Sequence, residues 1–351
     1  VKRARLTAYR RGWFSVAKLA APVISVGNLT TGGTGKTPMT EWVCRALAGK
    51  QACKQQPGAG DAEGTEPQKK VCVLTRGYGR ANPKSQVLVS NGTQLLAAEH
   101  EAGDEPFLLA QNLIGIAAVI ANPNRVAAGE WALENLGSEI FVLDDGFQHL
   151  RLARDLDIVT IDATNSFGDR LLPAGQLREP LSGLSRADCV VITRTDQNED
   201  WRRIRGIVEE LAGPIPVFSS RMVTSGIREL GRATTDHLEI TQQPFGAFCG
   251  VGNPDSFFRH LRREGCPLAF TRRFADHYHY QQSDLDQLVA LARSLGTNAL
   301  ITTAKDATKL ASLSLEIPCY VLEIQISIDD EDRLVQLIQH AYQKKVQRQR
   351  R

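Results

Sequence analysis

The residues with the clearest chemical meaning lie between Pro22 and Pro38, in the segment PVISVGNLTTGGTGKTP. A short apolar run leads into a loop that holds three glycines, and Lys36 and Thr37 come directly after the last of them. Glycine lets backbone N–H groups approach an anion closely, and the N-terminus of a following helix adds further N–H groups and a positive dipole. The segment therefore predicts a phosphate-binding loop, in which Lys36 contacts the outer phosphates and Thr37 offers its hydroxyl to Mg²⁺.

This loop differs at one position from the general phosphate-loop pattern G-x-x-x-x-G-K-[ST], because Thr30 stands where the pattern has its first glycine. A glycine-rich turn without a ligand is the alternative. The strand expected before the loop and the helix expected after it favour the phosphate loop. The predicted nucleotide contacts are Thr30, Thr31, Gly32, Gly33, Thr34, Gly35, Lys36 and Thr37.

Two aspartates follow a second apolar run, in the segment FVLDDGFQH at 141–149. Ligands of α/β sheets bind beyond the carboxyl ends of the strands, so this strand would place Asp144 and Asp145 beside the phosphate loop. Carboxylate oxygens suit Mg²⁺, but the residues alone do not decide which aspartate contacts it, and a helix cap or a solvated charge is the alternative for each. Gln148 and His149 are candidate substrate contacts, although a structural role fits His149 equally well.

Two further segments carry candidate charged groups. In AGDEPFLLAQNL (102–113), Asp104 precedes a proline and an apolar helical run, which is the local pattern of a helix N-cap. In GQLREPLSGLSRAD (175–188), Arg178 and Glu179 fit the roles of a cation for the phosphates and a metal ligand. An ordinary ion pair fits their spacing as well.

Length and composition narrow the class of protein. The 351 residues are enough for two domains, and 42% hydrophobic with 23% charged residues is typical of a globular chain. The seven cysteines contain no C-x-x-C pair, which favours reduced thiols over a disulfide framework. No apolar run reaches the roughly 18 residues that a membrane-spanning helix needs.

The first 20 residues form a basic segment with interspersed aromatic side chains. No acidic residue precedes Glu41, and Trp13 and Phe14 lie among arginines and lysines. This pattern is typical of an amphipathic segment at a membrane interface. We interpret residues 1–20 as facing an anionic lipid surface rather than nucleic acid, with a soluble basic tail as the alternative.

Apolar, β-branched runs alternate with helical segments along the rest of the chain. Such alternation predicts a parallel sheet with helices on both faces. We predict a P-loop NTPase-type α/β domain over 21–222 and a second, smaller α/β lobe over 223–351 that ends in a closing helix. The stretch 49–70 has no Val, Ile, Leu or aromatic residue, so we predict a disordered insertion there.

Eight segments, taken in order, resemble the tetraacyldisaccharide 4′-kinase family, the lipid A 4′-kinases. The matches extend from about Tyr9 to Leu310, and the phosphate loop of that family also lacks the first glycine. The segments are PVISVGNLTTGGTGKTP, LTRGYGR, AGDEP, VLDDGFQH, LREP, FCGVGNPDSFF, FADHYHY and TTAKDATKL.

The resemblance implies transfer of the γ-phosphate of ATP, with Mg²⁺, to the 4′-hydroxyl of a tetraacyldisaccharide 1-phosphate precursor of lipid A. The implied location is the cytoplasmic face of the bacterial inner membrane, bound peripherally, and we expect a monomer. The resemblance also implies two α/β lobes joined by a short β linker, with the nucleotide in the cleft.

The resemblance further implies roles for individual residues. The aspartate of the GDEP segment and the histidine of the DHxxY segment act together as base in that family, which gives Asp104 and His277 here and adds a second role to the N-cap suggested by local sequence. The resulting predictions are Asp104, His277, Lys36 and Arg178 as catalytic residues, Thr37, Glu179, Asp144 and Asp145 as metal ligands, and Asn28, Arg76, Gln148 and His149 as substrate contacts.

Two functions of other classes remain as alternatives. A nucleotide switch would dock on membranes without phosphorylating lipid, and a ligase of small acids would use the same fold. The segment TRTD (193–196) resembles the [NT]-K-x-D guanine pattern, with Arg194 in place of the lysine. Transfer of labelled phosphate from ATP to a glycolipid distinguishes the three functions.

Overall fold

The computed structural model describes residues 8–9, 11–49, 69–168, 170–231 and 243–349. The chain forms two compact units, Val1–Arg221 with Ile326–Arg351, and Met222–Gln325. Most of the predicted insertion (49–70) and the first residues of the basic segment lie outside the described residues.

The first unit contains a large, mostly parallel sheet. Its described strands are β1 (Val23–Gly27), β2 (Val71–Thr75), β3 (Val87–Ser90), β4 (Ala117–Ala121), β5 (Ile140–Asp144), β6 (Leu156–Asp162), β7 (Cys189–Thr193) and β8 (Val217–Glu229), the last of which continues into the second unit. Their order in the sheet is β8-β7-β6-β1-β5-β2-β4-β3. The pairings between them are parallel except for the edge strand β3, which runs antiparallel to β4.

The strands at the centre of this sheet are buried at every position. Their near-continuous apolar sequences are those of parallel strands covered on both faces. One core cluster contains Leu19, Phe141 and Leu152, and another contains Phe147 and Ile192. The predicted α/β arrangement of this part of the chain is therefore confirmed.

Helices follow most of the strands of the first unit. They are α1 (Lys36–Leu47), α2 (Glu99–Ala102), α3 (Asp104–Asn112), α4 (Arg125–Leu136) and α5 (Trp201–Ala212), with short 3₁₀ turns at Leu181–Arg186 and Thr195–Gln197. At the start of α4, the Asn124 side chain accepts a hydrogen bond from the Ala127 backbone N–H at 3.4 Å. Such caps satisfy N–H groups that a helix leaves without partners.

The second unit contains a smaller parallel sheet with the order β10-β9-β11-β12. Its described elements are β9 (Phe245–Cys249), α6 (Pro254–Arg263), β10 (Leu268–Arg273), α7 (Gln282–Ser294), β11 (Leu300–Thr303), α8 (Ala304–Ala307), a 3₁₀ turn at Thr308–Leu310, and β12 (Cys319–Ile328). Phe245, Phe257 and Leu261 belong to one of its core clusters.

The structure corrects the predicted extent of the second lobe. The C-terminal helix, α9 (Glu331–Gln349), groups with the first unit instead. Lys345 on this helix lies 3.8 Å from Asp155, and the Arg333 guanidinium lies 6.0 Å from the ring centroid of Phe218. The amphipathic pattern of the helix predicts an apolar face, but it does not specify which surface that face covers.

Candidate active site

The phosphate loop connects β1 to α1, as the sequence predicts. Gly32 and Gly35 have φ angles of 104° and 82°, in the region that favours glycine. Gly35 directly precedes the first turn of α1, where the N–H groups of Lys36 and Thr37 have no partner within the helix. This arrangement of free N–H groups at a helix N-terminus is suited to phosphate.

Thr30 shows why this loop needs no glycine at its first position. Its φ is not positive, so a side chain is tolerated there. Thr30 is buried and forms a β-bridge with Leu177, and the Thr31 N–H donates to the Gln176 carbonyl at 2.8 Å. The neighbouring segment therefore holds the first half of the loop.

Asp145 connects the two basic side chains predicted to act on the phosphates. Its carboxylate lies 3.7 Å from Lys36 Nζ and accepts a hydrogen bond from Arg178 at 2.6 Å. Burial alone would raise the pKa of Asp145, but the positive charges of Lys36 and Arg178 outweigh burial and lower this pKa below its usual value. Asp145 is therefore an ionised group that positions both cations.

Asp144 lies in a different environment, although it is the neighbouring residue. It is the last residue of β5, only 3% exposed, and accepts hydrogen bonds from Thr40 at 3.3 Å and Thr75 at 3.0 Å. Burial, together with the negative charges of Glu105 and Asp145, raises the pKa of Asp144 to about 6. The two adjacent aspartates therefore differ in their tendency to hold a proton.

Arg178 and Glu179 are adjacent in sequence but have different partners. Arg178 binds Asp145, whereas Glu179 accepts hydrogen bonds from Gln148 and Arg186, both at 2.9 Å. Glu179 is only 2% exposed. The sequence left open an ordinary ion pair between the two neighbours, and the structure instead brings each of them to a residue from another segment.

A cavity of 560 Å³ borders this cluster within the first unit. Three of the four predicted substrate contacts line it, together with predicted loop, catalytic and metal-binding residues. Its lining includes Thr31, Arg76, Arg125, Asp145, Gln148, His149, Arg151, Arg178, Glu179 and Arg186. The excess of arginines makes the cavity suited to an anionic ligand.

Three arginines that line the cavity, Arg125, Arg151 and Arg186, were not among the predicted site residues. Arg125 is 4% exposed, burial lowers its pKa, and its Nε has no hydrogen-bond partner among the described residues. Arg186 pairs with Glu179 and lies over the Phe147 ring at 4.4 Å from the centroid. A signal for Arg125 was present, because it follows the carboxyl end of β4 directly after the helix cap Asn124.

Asn28 differs from the other predicted substrate contacts because it is fully buried. Its Nδ2 donates to Thr34 Oγ1 at 2.9 Å, and its backbone carbonyl accepts a hydrogen bond from Gln148 Nε2 at 2.7 Å. These contacts give Asn28 a part in holding the phosphate loop. Arg76 lines the cavity and donates to the Tyr78 hydroxyl at 2.6 Å.

Asp104 is the first residue of α3 and is 5% exposed. The N-cap is Gly103, so the local prediction of Asp104 as N-cap is wrong by one residue. Gly103 has a φ of 89°, and a side chain there would clash with the Tyr78 carbonyl oxygen. Glu105, in the same helical turn, raises the pKa of Asp144, so the start of α3 lies within electrostatic range of Asp144.

His277 belongs to the second unit. Its φ of 60° is unusual for a residue with a side chain. Lys305 Nζ lies 3.5 Å from His277 Nε2 and 3.3 Å from the Asp276 carboxylate. The joint role of His277 and Asp104 stays a prediction.

The predicted metal ligands offer oxygen donors only. Within the described ranges, no three His, Cys, Asp or Glu side chains are grouped so that they could hold a metal ion. Mg²⁺ usually takes one or two carboxylates, with water and substrate phosphates completing its coordination. Asp145 and Glu179, which line one cavity, and the Thr37 hydroxyl therefore fit this ion.

Replacing Asp144 with asparagine is expected to raise the melting temperature of the metal-free protein at neutral pH. The pKa of Asp144 is raised from 3.8 to about 6 in the folded protein, so the unfolded chain releases this proton first and the folded state loses relative stability as pH rises between these values. Asparagine removes the charge, keeps an oxygen acceptor for one of the Thr40 and Thr75 hydroxyls, and can donate its amide N–H to the other. Thermal unfolding across this pH range measures the effect, and equal pH dependence in both proteins would contradict it.

Comparison with known proteins identifies the family. Residues 1–59 and 61–343 match the family model described as Tetraacyldisaccharide-1-P 4′-kinase. The tetraacyldisaccharide 4′-kinase of Geobacter metallireducens is 40% identical over 331 residues, which cover 93% of this chain and 90% of that protein. The corresponding protein of Desulfotalea psychrophila is 35% identical over 340 residues, 95% of this chain and 92% of the relative.

A solved structure also matches along nearly the whole chain. The crystal structure of LpxK from Aquifex aeolicus in complex with ATP has a TM-score of 0.72 and 31% sequence identity, and the match covers 97% of this chain and 94% of that one. No described helix is both long and apolar enough to cross a membrane. The matched family model, the relatives and this structure together show that the chain belongs to the tetraacyldisaccharide-1-P 4′-kinase family.

Proposed function

We propose that this chain transfers the γ-phosphate of ATP to the 4′-hydroxyl of a tetraacyldisaccharide 1-phosphate on a P-loop NTPase-type fold with two α/β lobes joined by a short β linker. The observation that carries the proposal is the convergence of Lys36 and Arg178 on Asp145, beside a phosphate loop and an arginine-lined cavity. Its family membership supports the choice of substrate.

Phosphoryl transfer depends mainly on positioning and on neutralising charge on the transferred group. Lys36 follows the phosphate loop, and the N–H groups in the first turn of α1 have no hydrogen-bond acceptor within the helix. Arg178 is held by Asp145, which limits the conformations of its long side chain. In our proposal these two cations contact the triphosphate, and the remaining arginines of the cavity bind the anionic acceptor.

The acceptor hydroxyl needs a group that can take its proton. We assign this role to Asp104. Asp104 is nearly buried at the start of α3, and its Oδ1 accepts a hydrogen bond from the Glu105 backbone N–H at 3.0 Å. A positioned base of this kind contributes about 10²- to 10⁴-fold to the rate.

Mg²⁺ fits the oxygen donors of the site. We assign it to the Thr37 hydroxyl, Asp145 and Glu179, with Asp144 as a neighbouring charge. When bound, the ion would neutralise charge on the phosphates. The protein's part is to keep Glu179 oriented through Gln148 and Arg186, and to keep Asp145 ionised through Lys36 and Arg178.

The function is tested by incubating the protein with γ-labelled ATP, Mg²⁺ and a tetraacylated glucosamine disaccharide 1-phosphate. We expect label in the lipid, at the 4′ position. Label released only as inorganic phosphate in the presence of a small carboxylic acid would favour the ligase. Nucleotide-dependent release from vesicles without labelled lipid would favour the membrane switch.

We also propose that the basic N-terminal segment binds the cytoplasmic surface of the inner membrane. Trp13 and Phe14 are 68% and 50% exposed, and the Arg11 guanidinium lies 5.3 Å from the centroid of the Trp13 ring. Exposed aromatic side chains beside cationic groups are typical of protein segments that insert into an anionic lipid interface.

Replacing both Trp13 and Phe14 with serine is expected to weaken binding to vesicles containing anionic phospholipid by about tenfold or more. The reason is that the variant loses the favourable free energy of transferring two aromatic side chains from water to the lipid interface. Co-sedimentation measures the affinity. Leu295→Ser is the matched control, since Leu295 is also 50% exposed. Equal binding by the double variant and the control would rule out this docking surface.

A further inference from the structure

The end of β7 contacts the phosphate loop through two consecutive residues. The Thr193 hydroxyl donates a hydrogen bond to the Thr34 carbonyl at 3.1 Å. Arg194 Nη1 donates to the Gly33 carbonyl at 2.7 Å and to Asp162 Oδ2 at 2.6 Å. The sequence segment TRTD therefore binds the backbone of the loop.

With these contacts, each of the four consecutive carbonyl groups from Gly32 to Gly35 accepts a hydrogen bond. The Gly32 and Gly35 carbonyls accept backbone N–H groups within the loop and the first turn of α1, at 3.0 and 3.1 Å. The carbonyls between them, of Gly33 and Thr34, are the two that the end of β7 binds. A peptide unit is planar, with C=O and N–H pointing in opposite directions. Fixing the Thr34 carbonyl therefore fixes the opposite direction of the Gly35 N–H.

The charge of Arg194 is already balanced within the protein. Asp162 is 3% exposed, and its other oxygen accepts hydrogen bonds from the Thr164 backbone N–H and hydroxyl at 2.9 and 2.7 Å. Asp162 is therefore held in place, and it in turn orients the guanidinium toward Gly33. Arg194 has a carboxylate to itself, whereas Lys36 and Arg178 share Asp145 and keep an excess positive charge for a phosphate. The contribution of Arg194 therefore lies in the loop conformation.

We propose that Arg194 is a positioning residue that holds the phosphate loop in its nucleotide-binding conformation before the nucleotide arrives. This inference rests on the proposed function, because it concerns the same nucleotide site. A loop ordered in advance does not lose conformational freedom on binding, so its affinity for the ligand is higher. In this proposal the TRTD segment, which resembles a guanine-binding pattern, binds the backbone of the phosphate loop and needs no contact with a guanine base.

The test uses a pair of substitutions that removes the contact of Arg194 with the loop without leaving the buried Asp162 carboxylate unpaired. Arg194→Gly suits the φ of 58° at this position, and Asp162→Asn in the same chain removes the orphaned carboxylate but keeps an acceptor for Thr164. The matched control is Arg205→Ala with Glu209→Gln, which removes an exposed Arg–Glu pair from α5. Thermal unfolding without nucleotide reports on folding.

Titration with a fluorescent ATP analogue and Mg²⁺ measures the dissociation constant independently of kinase activity. We expect it to rise about tenfold in the double variant, with kcat at saturating ATP lowered less than threefold. Arg194→Lys, which keeps the charge but not the forked geometry, should have an intermediate affinity.

An unchanged dissociation constant in the double variant would overturn the role of Arg194. So would a loss of affinity equal to that of the control. If the double variant does not fold, Arg194→Lys decides the question, because wild-type affinity in a folded Lys variant would also overturn the proposal. Failure of the wild-type protein and the control to bind the analogue would instead contradict the proposed function.

Discussion

Replacing Asp104 with asparagine is expected to lower kcat by about 10²- to 10⁴-fold, the usual contribution of a positioned general base. Asp104 Oδ1 accepts a hydrogen bond from the Glu105 backbone N–H at 3.0 Å. Asparagine has nearly the same shape and keeps an oxygen that can accept this hydrogen bond. It cannot take a proton from the acceptor hydroxyl. The KM for ATP should change little, because the substitution leaves the phosphate loop intact.

Initial rates with varied ATP and glycolipid measure this effect. Glu105→Gln is the matched control, since it makes the same change of acid to amide in the same helical turn, and we expect it to retain most of the activity. A kcat within about threefold of wild type would exclude Asp104 as the base.

Replacing Lys36 with alanine is expected to lower kcat by about 10²- to 10³-fold, the range observed when one group that stabilises transition-state charge is removed. The N–H groups at the start of α1 remain, so the affinity for the nucleotide should fall much less than turnover. Asp145 keeps Arg178 as a partner at 2.6 Å, so its carboxylate is not left unpaired.

Steady-state kinetics and titration with a fluorescent ATP analogue separate these two effects. Lys36→Arg is a useful second variant, because it keeps the charge but changes its shape and reach. A melting temperature close to that of wild type would show that the alanine variant is folded. Near-normal turnover in a folded Lys36→Ala protein would contradict the role of Lys36.

Much of the nucleotide site could be predicted from sequence because its conformation is local. Gly32 and Gly35 adopt positive φ, and Lys36 begins α1. The parallel sheet followed from apolar runs separated by helical segments. The sequence also places Asp144 and Asp145 at the end of an apolar strand, and β5 ends at Asp144.

The sequence by itself determined the phosphate loop, the α/β class of its domain and half of the residues that line the cavity. Only the tertiary structure decided which charges pair: Asp145 with Lys36 and Arg178, Glu179 with Arg186, and Asp162 with Arg194. It also moved the cap from Asp104 to Gly103 and grouped α9 with the first unit. The physical reason is the separation of the interacting residues along the sequence. Backbone conformation depends on neighbouring residues, whereas ion pairs and helix packing depend on distant segments that come together only when the sheet forms.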